Sequence, residues 1–296
     1  MKVINFGSLN IDHFYSLDHF VRPGETIASQ KYHRSCGGKG LNQSIALAHA
    51  GVEVFHAGKI GQDGKALLAC LQTAGVDITF VEITESEPSG HAIIQVDKNG
   101  QNSIILHGGA NQTIQAEAAK RVLEHFKSGD CLLLQNEISS ISEIIEQAKK
   151  QGLTIFLNPA PMDKKVFGYP LEKVDYFIIN EIEGIELSGA AEPSGILEAM
   201  LKRFPRSVTI LTLGENGAIY AEHQIRISVP AEKVKAVDTT AAGDTFIGFF
   251  IAQKIKGQPV ETCLRMACRA AAICVTRRGA ADSIPLKEEV VMEKVQ

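Results

Sequence analysis

Apolar residues in this chain fall into short unbroken runs separated by stretches with helical spacing, and the two alternate over most of its length. An apolar run bounded by turn residues reads as a strand, and apolar positions three and four apart read as an amphipathic helix. The first strand is expected over 2–7. GGKGLNQSIALAHAG then opens a helix, with Leu41, Ile45, Leu47 and Ala48 on its apolar side and Gly51 as the stop. A strand over 52–60 and a helix from Asp63 to Ala74-Gly75 follow. After Thr113 the alternation is regular: helix 114–126, strand 131–134, helix 139–151, strand 153–157, strand 176–179, a short helix from Glu181, helix 194–204 and strand 208–211. A hairpin over 218–229 precedes two closing helices, 241–254 and 260–275.

Two interruptions break the rhythm. Between the first strand and the first helix lie β-forming stretches at 13–21 and 26–35, joined by the turn dipeptide Pro23-Gly24. Further on, HAIIQV and NSIIL flank Asn99-Gly100, a strong hairpin signal. These pieces are expected to form a small sheet standing off the body as a lid, built from about 12–36 and 90–107. Strands separated by helices predict an α/β fold: a mainly parallel central sheet, helices on both faces, ligands at the carboxyl ends of the strands. No repeat or interdomain linker is visible, so one domain is expected over 1–296, with the lid attached.

Composition changes this picture little. A hydrophobic content of 45% and a charged content of 22% suit a soluble globular enzyme. A net charge of −4 supplies no basic field, so nucleic acid and membrane are not expected as partners. The N-terminus meets Asn and Gly before an apolar run reaches signal-peptide length, which predicts a cytoplasmic protein. Six scattered cysteines without a C-x-x-C pair read as reduced, and nine histidines show no zinc-ligand spacing.

The chemistry concentrates in AVDTTAAGDTFIGFF, residues 236–250. Ala241, Ala242 and Gly243 fall at a helix start, where free N–H groups and the helix dipole favour an anion. Asp244 lies in the same turn. A lone Asp there most often caps the helix. Beside a phosphate, however, a carboxylate needs a chemical task, and taking a proton from an incoming hydroxyl is the natural one. Further polar candidates also follow strands or open helices: Asn10, Asp12, Gly38, Lys39, Asn42, Glu137, Asn158, Asn180, Glu183, Thr212, Gly214 and Asp238. Two nucleotide signatures fail. Gly38-x-Gly40 meets Gln43 where a dinucleotide fingerprint needs Gly or Ala, and Gly58 to Lys65 is one residue too long for a Walker loop and lacks its Ser or Thr.

GGKGLNQ, LNPAP, NEIEG, TLGENG and DTTAAGDTF, in this order, resemble the ribokinase branch of the ribokinase/PfkB carbohydrate kinases, from the first strand to about Pro285. The resemblance implies that Asn10, Asp12, Gly38, Lys39, Gly40, Asn42 and Glu137 contact a sugar. Asp244 would be the catalytic base, with Ala241, Ala242 and Gly243 as the anion hole. Asn180 and Glu183 would help hold Mg²⁺ and the phosphates, and Thr212, Leu213, Gly214, Glu215, Asn216 and Gly217 would line the ATP site. A K⁺ site would use Asp238, Thr240, Cys274, Arg277, Gly279 and Ser283, several through main-chain carbonyls. A homodimer through the lid is also implied, as is phosphorylation of the 5-hydroxyl of D-ribose. Another sugar or a nucleoside remains open as substrate, since Phe14, Tyr15 and Phe20 could wall a base. A non-catalytic sugar-binding regulator is the rival from another class. The failed glycine fingerprint weakens a nicotinamide oxidoreductase.

Overall fold

The computed structural model describes residues 1–291; residues 292–296, the end of the domain expected over 1–296, lie outside the described residues. In chain order the elements are β1 (Val3–Phe6), β2 (Asn10–Ser16), β3 (Lys31–Gly37), α1 (Lys39–His49), β4 (Val54–Gly61), α2 (Lys65–Thr73) and β5 (Asp77–Thr84). Then come β6 (Gly90–Val96), β7 (Asn102–His107), α3 (Ala116–Leu123), β8 (Cys131–Gln135), α4 (Ile141–Lys150), β9 (Thr154–Asn158), β10 (Tyr176–Asn180) and α5 (Glu181–Ser188). The chain continues with α6 (Pro193–Arg203), β11 (Val208–Thr212), β12 (Ala218–Glu222), β13 (Ile225–Val229), α7 (Ala242–Ile255), α8 (Val260–Val275) and the short α9 (Lys287–Val290).

Nine strands form the central sheet in the order β13-β12-β11-β10-β9-β8-β1-β4-β5. From β5 through β11 all neighbours pair parallel, and the last two pairings, β11–β12 and β12–β13, are antiparallel. The inner strands read as unbroken apolar runs because helices cover both faces. One face buries Leu41, Ile45, Phe246, Phe249 and Leu264 of α1, α7 and α8. The other buries Leu123, Ile144, Ile145, Leu187 and Ile196 of α3 to α6.

The sequence pattern omits β5. DITFVEIT sits at the sheet edge with half of its residues exposed and the other half only partly buried, so it lacks the apolar run that marks the inner strands. Its alternation of Ile78, Phe80 and Val81 with polar residues was the available signal.

β2, β3, β6 and β7 form a separate four-stranded sheet in the order β3-β2-β6-β7. Two antiparallel hairpin-like pairs meet along the parallel β2–β6 seam. The first of these strands starts at Asn10, earlier than the sequence suggests, because its ladder begins where Gly37 and Gly90 flank Asn10 on both sides. β7 is the open edge of this sheet and is exposed throughout, including Ile104, Ile105 and Leu106.

Helix α7 runs through the core with apolar residues on all sides, as a helix buried between neighbours must. It touches α1 through Gly248, where an added Cβ would stand 2.4 Å from Ala46 Cβ and 2.7 Å from the Ala46 carbonyl carbon. This close approach sets what the helix starts can reach.

Candidate active site

The parallel strands bring their carboxyl ends to one edge, where α1 and α7 open. Gly40 lies against the end of β1: a Cβ on it would be 2.3 Å from the Ser8 nitrogen. The start of α1 therefore sits directly on the β1 exit, and Gly38, at φ 95°, makes the turn into it. This arrangement brings the Lys39 N–H to Glu137 Oε2 at 3.0 Å, and the Ser8 hydroxyl donates to the same oxygen. Burial raises the Glu137 carboxyl above its usual range, against the lowering effect of Lys39.

Asp244 is buried in the first turn of α7 and does not cap it. The capping position is Ala241, at φ 60°, with no side-chain cap. Both Asp244 oxygens are engaged by α1 instead: Asn42 Nδ2–H donates to Oδ2 at 3.0 Å and Gln43 Nε2–H to Oδ1 at 2.8 Å. Four residues on from each partnered position, Ala46 and Gly248 meet, so the helix contact and the hydrogen bonds form one unit. The other side of the Asn42 amide, Oδ1, is buried without a protein partner among the described residues.

A cavity of about 230 Å³ opens over this floor, lined among others by Lys39, Asn158, Asn180, Glu183, Thr212, Thr239, Ala241, Gly243 and Asp244. Asn180 and Glu183 form a reciprocal capping box at the start of α5, with Glu183 N–H to Asn180 Oδ1 at 2.9 Å and Asn180 N–H to Glu183 Oε2 at 3.0 Å. Asn158 also donates to Glu183 Oε2, at 3.2 Å. Burial raises the Glu183 carboxyl, offset in part by these bonds and by Lys39. Burial alone would lower the Lys39 pKa, but Asp244, Glu137 and Glu183 outweigh it, and the ammonium is held above its usual value.

Gly243 leaves the cavity open, since a Cβ there would meet nothing within 4 Å. The Ala242 N–H is turned to the Thr239 carbonyl at 3.3 Å, which weakens its share in the expected anion hole. Of the segment 212–217, only Thr212 lines the cavity. Leu213 to Gly217 form the turn beyond it, closed by Leu213 N–H to Gly217 O at 2.8 Å, with Gly214, Glu215 and Asn216 exposed.

On the small sheet, Asp12 packs over Gly37, where a Cβ would stand 2.0 Å from Asp12 Oδ2. Burial and the nearby Glu137 push the Asp12 carboxyl up to about 7. Asn10 Oδ1 accepts from Asn111 Nδ2 at 2.8 Å. Asn111 also holds the Leu9 N–H at 3.0 Å, so it fixes the strand that carries both candidates. Phe14 shares the Asp12 face of β2 and stacks on His33, with ring centroids 4.7 Å apart. Tyr15 points to the opposite face, against Tyr32.

The six positions expected around a cation also converge. Asp238 accepts from the Thr240 N–H at 2.9 Å, the Thr240 hydroxyl at 2.6 Å and the Gly279 N–H at 3.0 Å, joining the loop before α7 to the loop after α8. The Cys274 thiol contacts Ser283 Oγ at 3.1 Å, and the Arg277 backbone N–H bonds the Cys274 carbonyl. No cluster of three His, Cys, Asp or Glu side chains suited to a metal occurs among the described residues.

Gln43, Gln135 and Asn111 were not foreseen as contributors. Their partners are far away in sequence: Gln43 and Asp244 are separated by 201 positions.

The chain matches the pfkB family of carbohydrate kinases over residues 1–287. It is 35% identical to a ribokinase of Haemophilus influenzae, covering 96% of this chain and 95% of the relative. It is 32% identical to a deoxyribokinase of Salmonella typhi, covering 98% and 97%. Among solved structures, an Arabidopsis thaliana ribokinase complexed with ribose and ATP superposes with a TM-score of 0.86 at 29% identity, covering 98% and 97%. Together with a polar cleft at the strand ends and a buried carboxylate where a helix opens, this coverage makes the chain a member of the pfkB carbohydrate kinase family.

Proposed function

We propose that this protein transfers the γ-phosphoryl group of ATP to the 5-hydroxyl of D-ribose. The observation that carries the proposal is the buried Asp244 carboxylate, gripped by Asn42 and Gln43 on the cavity floor instead of capping its helix. Asp244 takes the proton as the sugar oxygen attacks phosphorus and ADP departs. Gly243, bare on the cavity side, presents backbone to the transferring group. The Lys39 ammonium offsets phosphate charge. Asn10, Asp12, Asn42 and Glu137 recognise hydroxyls, a task for short forked polar groups.

The similarity to a deoxyribokinase over nearly the full length supports 2-deoxyribose as the second reading. Comparing kcat/KM for ribose, 2-deoxyribose, fructose and adenosine decides between them. Preference for ribose supports the proposal, and highest efficiency with another compound replaces it. A site that recognises the 2-hydroxyl rejects the deoxy sugar because a buried partner is left unpaired, at about 1–3 kcal/mol.

Asp12 makes sugar capture sensitive to pH. Hydroxyl donors favour its ionised form, whereas the free carboxyl holds its proton up to about 7. Below that pH, binding must first remove the proton. The sugar kcat/KM is therefore expected to fall on acidification, approaching about tenfold per pH unit. Asp12→Asn removes this limb while lowering the plateau. An identical limb in that variant assigns it to another group.

Mg²⁺ fits beside Asn180 and Glu183: Glu183 is a buried oxygen donor whose charge is penalised by burial, and a hard cation relieves that. When bound, it would neutralise phosphate charge during transfer. The K⁺ site is placed at the loops that Asp238 joins, since its hydrogen bonds to Thr240 and Gly279 hold the loop before α7 against the loop after α8. Turnover is expected to rise with K⁺ and not with Na⁺ at matched ionic strength, and a flat response removes the site.

The small sheet acts as the lid and as the contact with a second copy. Its open edge exposes Ile104, Ile105 and Leu106 at 56%, 60% and 48%. The species in solution is expected at twice the 32.0 kDa chain mass. Light scattering at the single-chain mass overturns this.

A further inference from the structure

A chain of buried polar groups runs beneath the cavity floor, and none of them lines the cavity. His56 Nε2 meets the Gly7 carbonyl at 3.2 Å, and its Nδ1 meets Ser44 Oγ at 2.8 Å. Asn5 Nδ2 reaches Ser44 Oγ at 2.8 Å and the Gly40 carbonyl at 2.8 Å. Gln135 Nε2 reaches Asn5 Oδ1 at 3.0 Å and Gln43 Oε1 at 2.6 Å. Gln43 Nε2 then reaches Asp244. Asn5, Gln43, Ser44, His56 and Gln135 are all buried.

The direction of every bond in this chain is fixed from its far end. A carbonyl can only accept, so His56 Nε2 carries the hydrogen. Burial keeps the imidazole neutral, with its pKa lowered to about 4, so Nδ1 must accept and the Ser44 hydroxyl must donate to it. Ser44 Oγ then accepts from Asn5. The Gly40 carbonyl demands the same Asn5 amide nitrogen, which leaves Asn5 Oδ1 to face Gln135. Gln135 must therefore present nitrogen, and Gln43 must present oxygen to it. The other side of the Gln43 amide, its nitrogen, donates to Asp244 Oδ1 at 2.8 Å and also to Asn158 Oδ1 at 3.3 Å, so Asn158 supports the orientation that the relay imposes.

Space has been left for this chain as well. A Cβ on Gly7 would lie 2.7 Å from Gln135 Oε1, and one on Gly58 would lie 2.9 Å from His56 Nε2. Gln135 Oε1 is itself buried without a partner among the described residues, so Gln135 spends its nitrogen twice and leaves its oxygen unused. Unsatisfied buried acceptors are uncommon. Here the opposite rotamer of the amide would satisfy neither Asn5 nor Gln43.

We infer that His56, Ser44, Asn5 and Gln135 form a polarity relay that holds the Gln43 amide with its donor toward Asp244, making Gln43 and Gln135 positioning residues for phosphoryl transfer. A flipped Gln43 amide would turn its carbonyl oxygen on the carboxylate, repelling it and misaiming its free lone pairs. The inference rests on Asp244 acting as the base. The other titratable groups in the field of Asp244 are Lys39, Glu137, Glu183 and Cys274, and none belongs to the relay.

The test uses Gln135→Glu, an isostere that cannot donate when ionised, and Gln43→Met, which removes the donor without adding charge. Steady-state kinetics across pH, with ribose and ATP varied, are measured for each. Both variants are expected to lose on the order of tenfold in kcat while the sugar KM stays within about twofold. Adding Gln43→Met to Asp244→Ala is expected to change the residual rate no further. Wild-type kcat in either folded variant overturns the relay. So does an equal loss in the Asp244→Ala background. If Asp244→Ala alone keeps its rate, the assignment of the base fails instead, and the two failures are separate.

Discussion

Asp244→Ala is expected to lower kcat by roughly 10²–10⁴ while sugar and nucleotide still bind. The size follows from what the carboxylate does. Phosphoryl transfer asks the protein mainly for positioning and charge stabilisation, and both survive the substitution, because Lys39, Gly243 and the Asn180–Glu183 pair remain in place. In the role proposed for Asp244, what is lost is the acceptor for the hydroxyl proton at the moment of attack. The truncation also strands the Asn42 and Gln43 amide donors that now end on Asp244, so some loss of thermal stability is expected alongside. Asp244→Asn preserves shape and is the control for that loss. Calorimetric titration with ribose and with a non-hydrolysable ATP analogue, beside a coupled ADP assay, separates binding from turnover. Turnover close to that of the unaltered protein would falsify the assignment.

Gly248→Val is expected to depress stability and turnover together, although residue 248 does not line the cavity. The first added carbon alone would fall 2.4 Å from Ala46 Cβ and 2.8 Å from the Leu47 nitrogen. Two of the three nearest atoms are backbone, so no side-chain rotation relieves the clash and α7 must move away from α1. Overpacking of this kind costs about 1–3 kcal/mol. The functional cost is separate: the same two helices supply Asp244 and both of its amide partners, and a displacement near 1 Å can cost about 10² in rate. Thermal unfolding and kcat are measured on one preparation. A valine variant with the melting temperature and kcat of the unaltered protein would show that the two helices do not depend on this contact.

The alternation of strands and helices was legible in the sequence because burial on both faces leaves a strong mark: CLLLQ, TIFLN and YFIIN have nothing else to be. Helix starts were legible for a related reason, since GGKG and AAGD place small residues where backbone must come close. The edge strand β5 escaped because one-sided exposure thins the apolar pattern to an irregular alternation. Asn10 and Asp12 were found as polar candidates but not as strand residues, because Asn and Asp disfavour strands and here the flanking glycines admit them. The buried amides were least legible of all. A glutamine in a helix looks solvated until the fold brings Gln135, 92 positions away, against Gln43. Motif positions announce themselves locally, whereas a hydrogen-bond partner is a property of the folded chain.

The opening turn of α1 concentrates unlike duties in a few consecutive residues. Gly40 touches the backbone at the exit of β1, the Lys39 amide holds Glu137, and Asn42 and Gln43 hold Asp244. A change at any of these positions disturbs architecture and chemistry at once, which leaves natural variation little freedom there. Phe14, by contrast, stacks on His33 within the small sheet and takes no part in that turn, so exchanging it leaves those contacts in place.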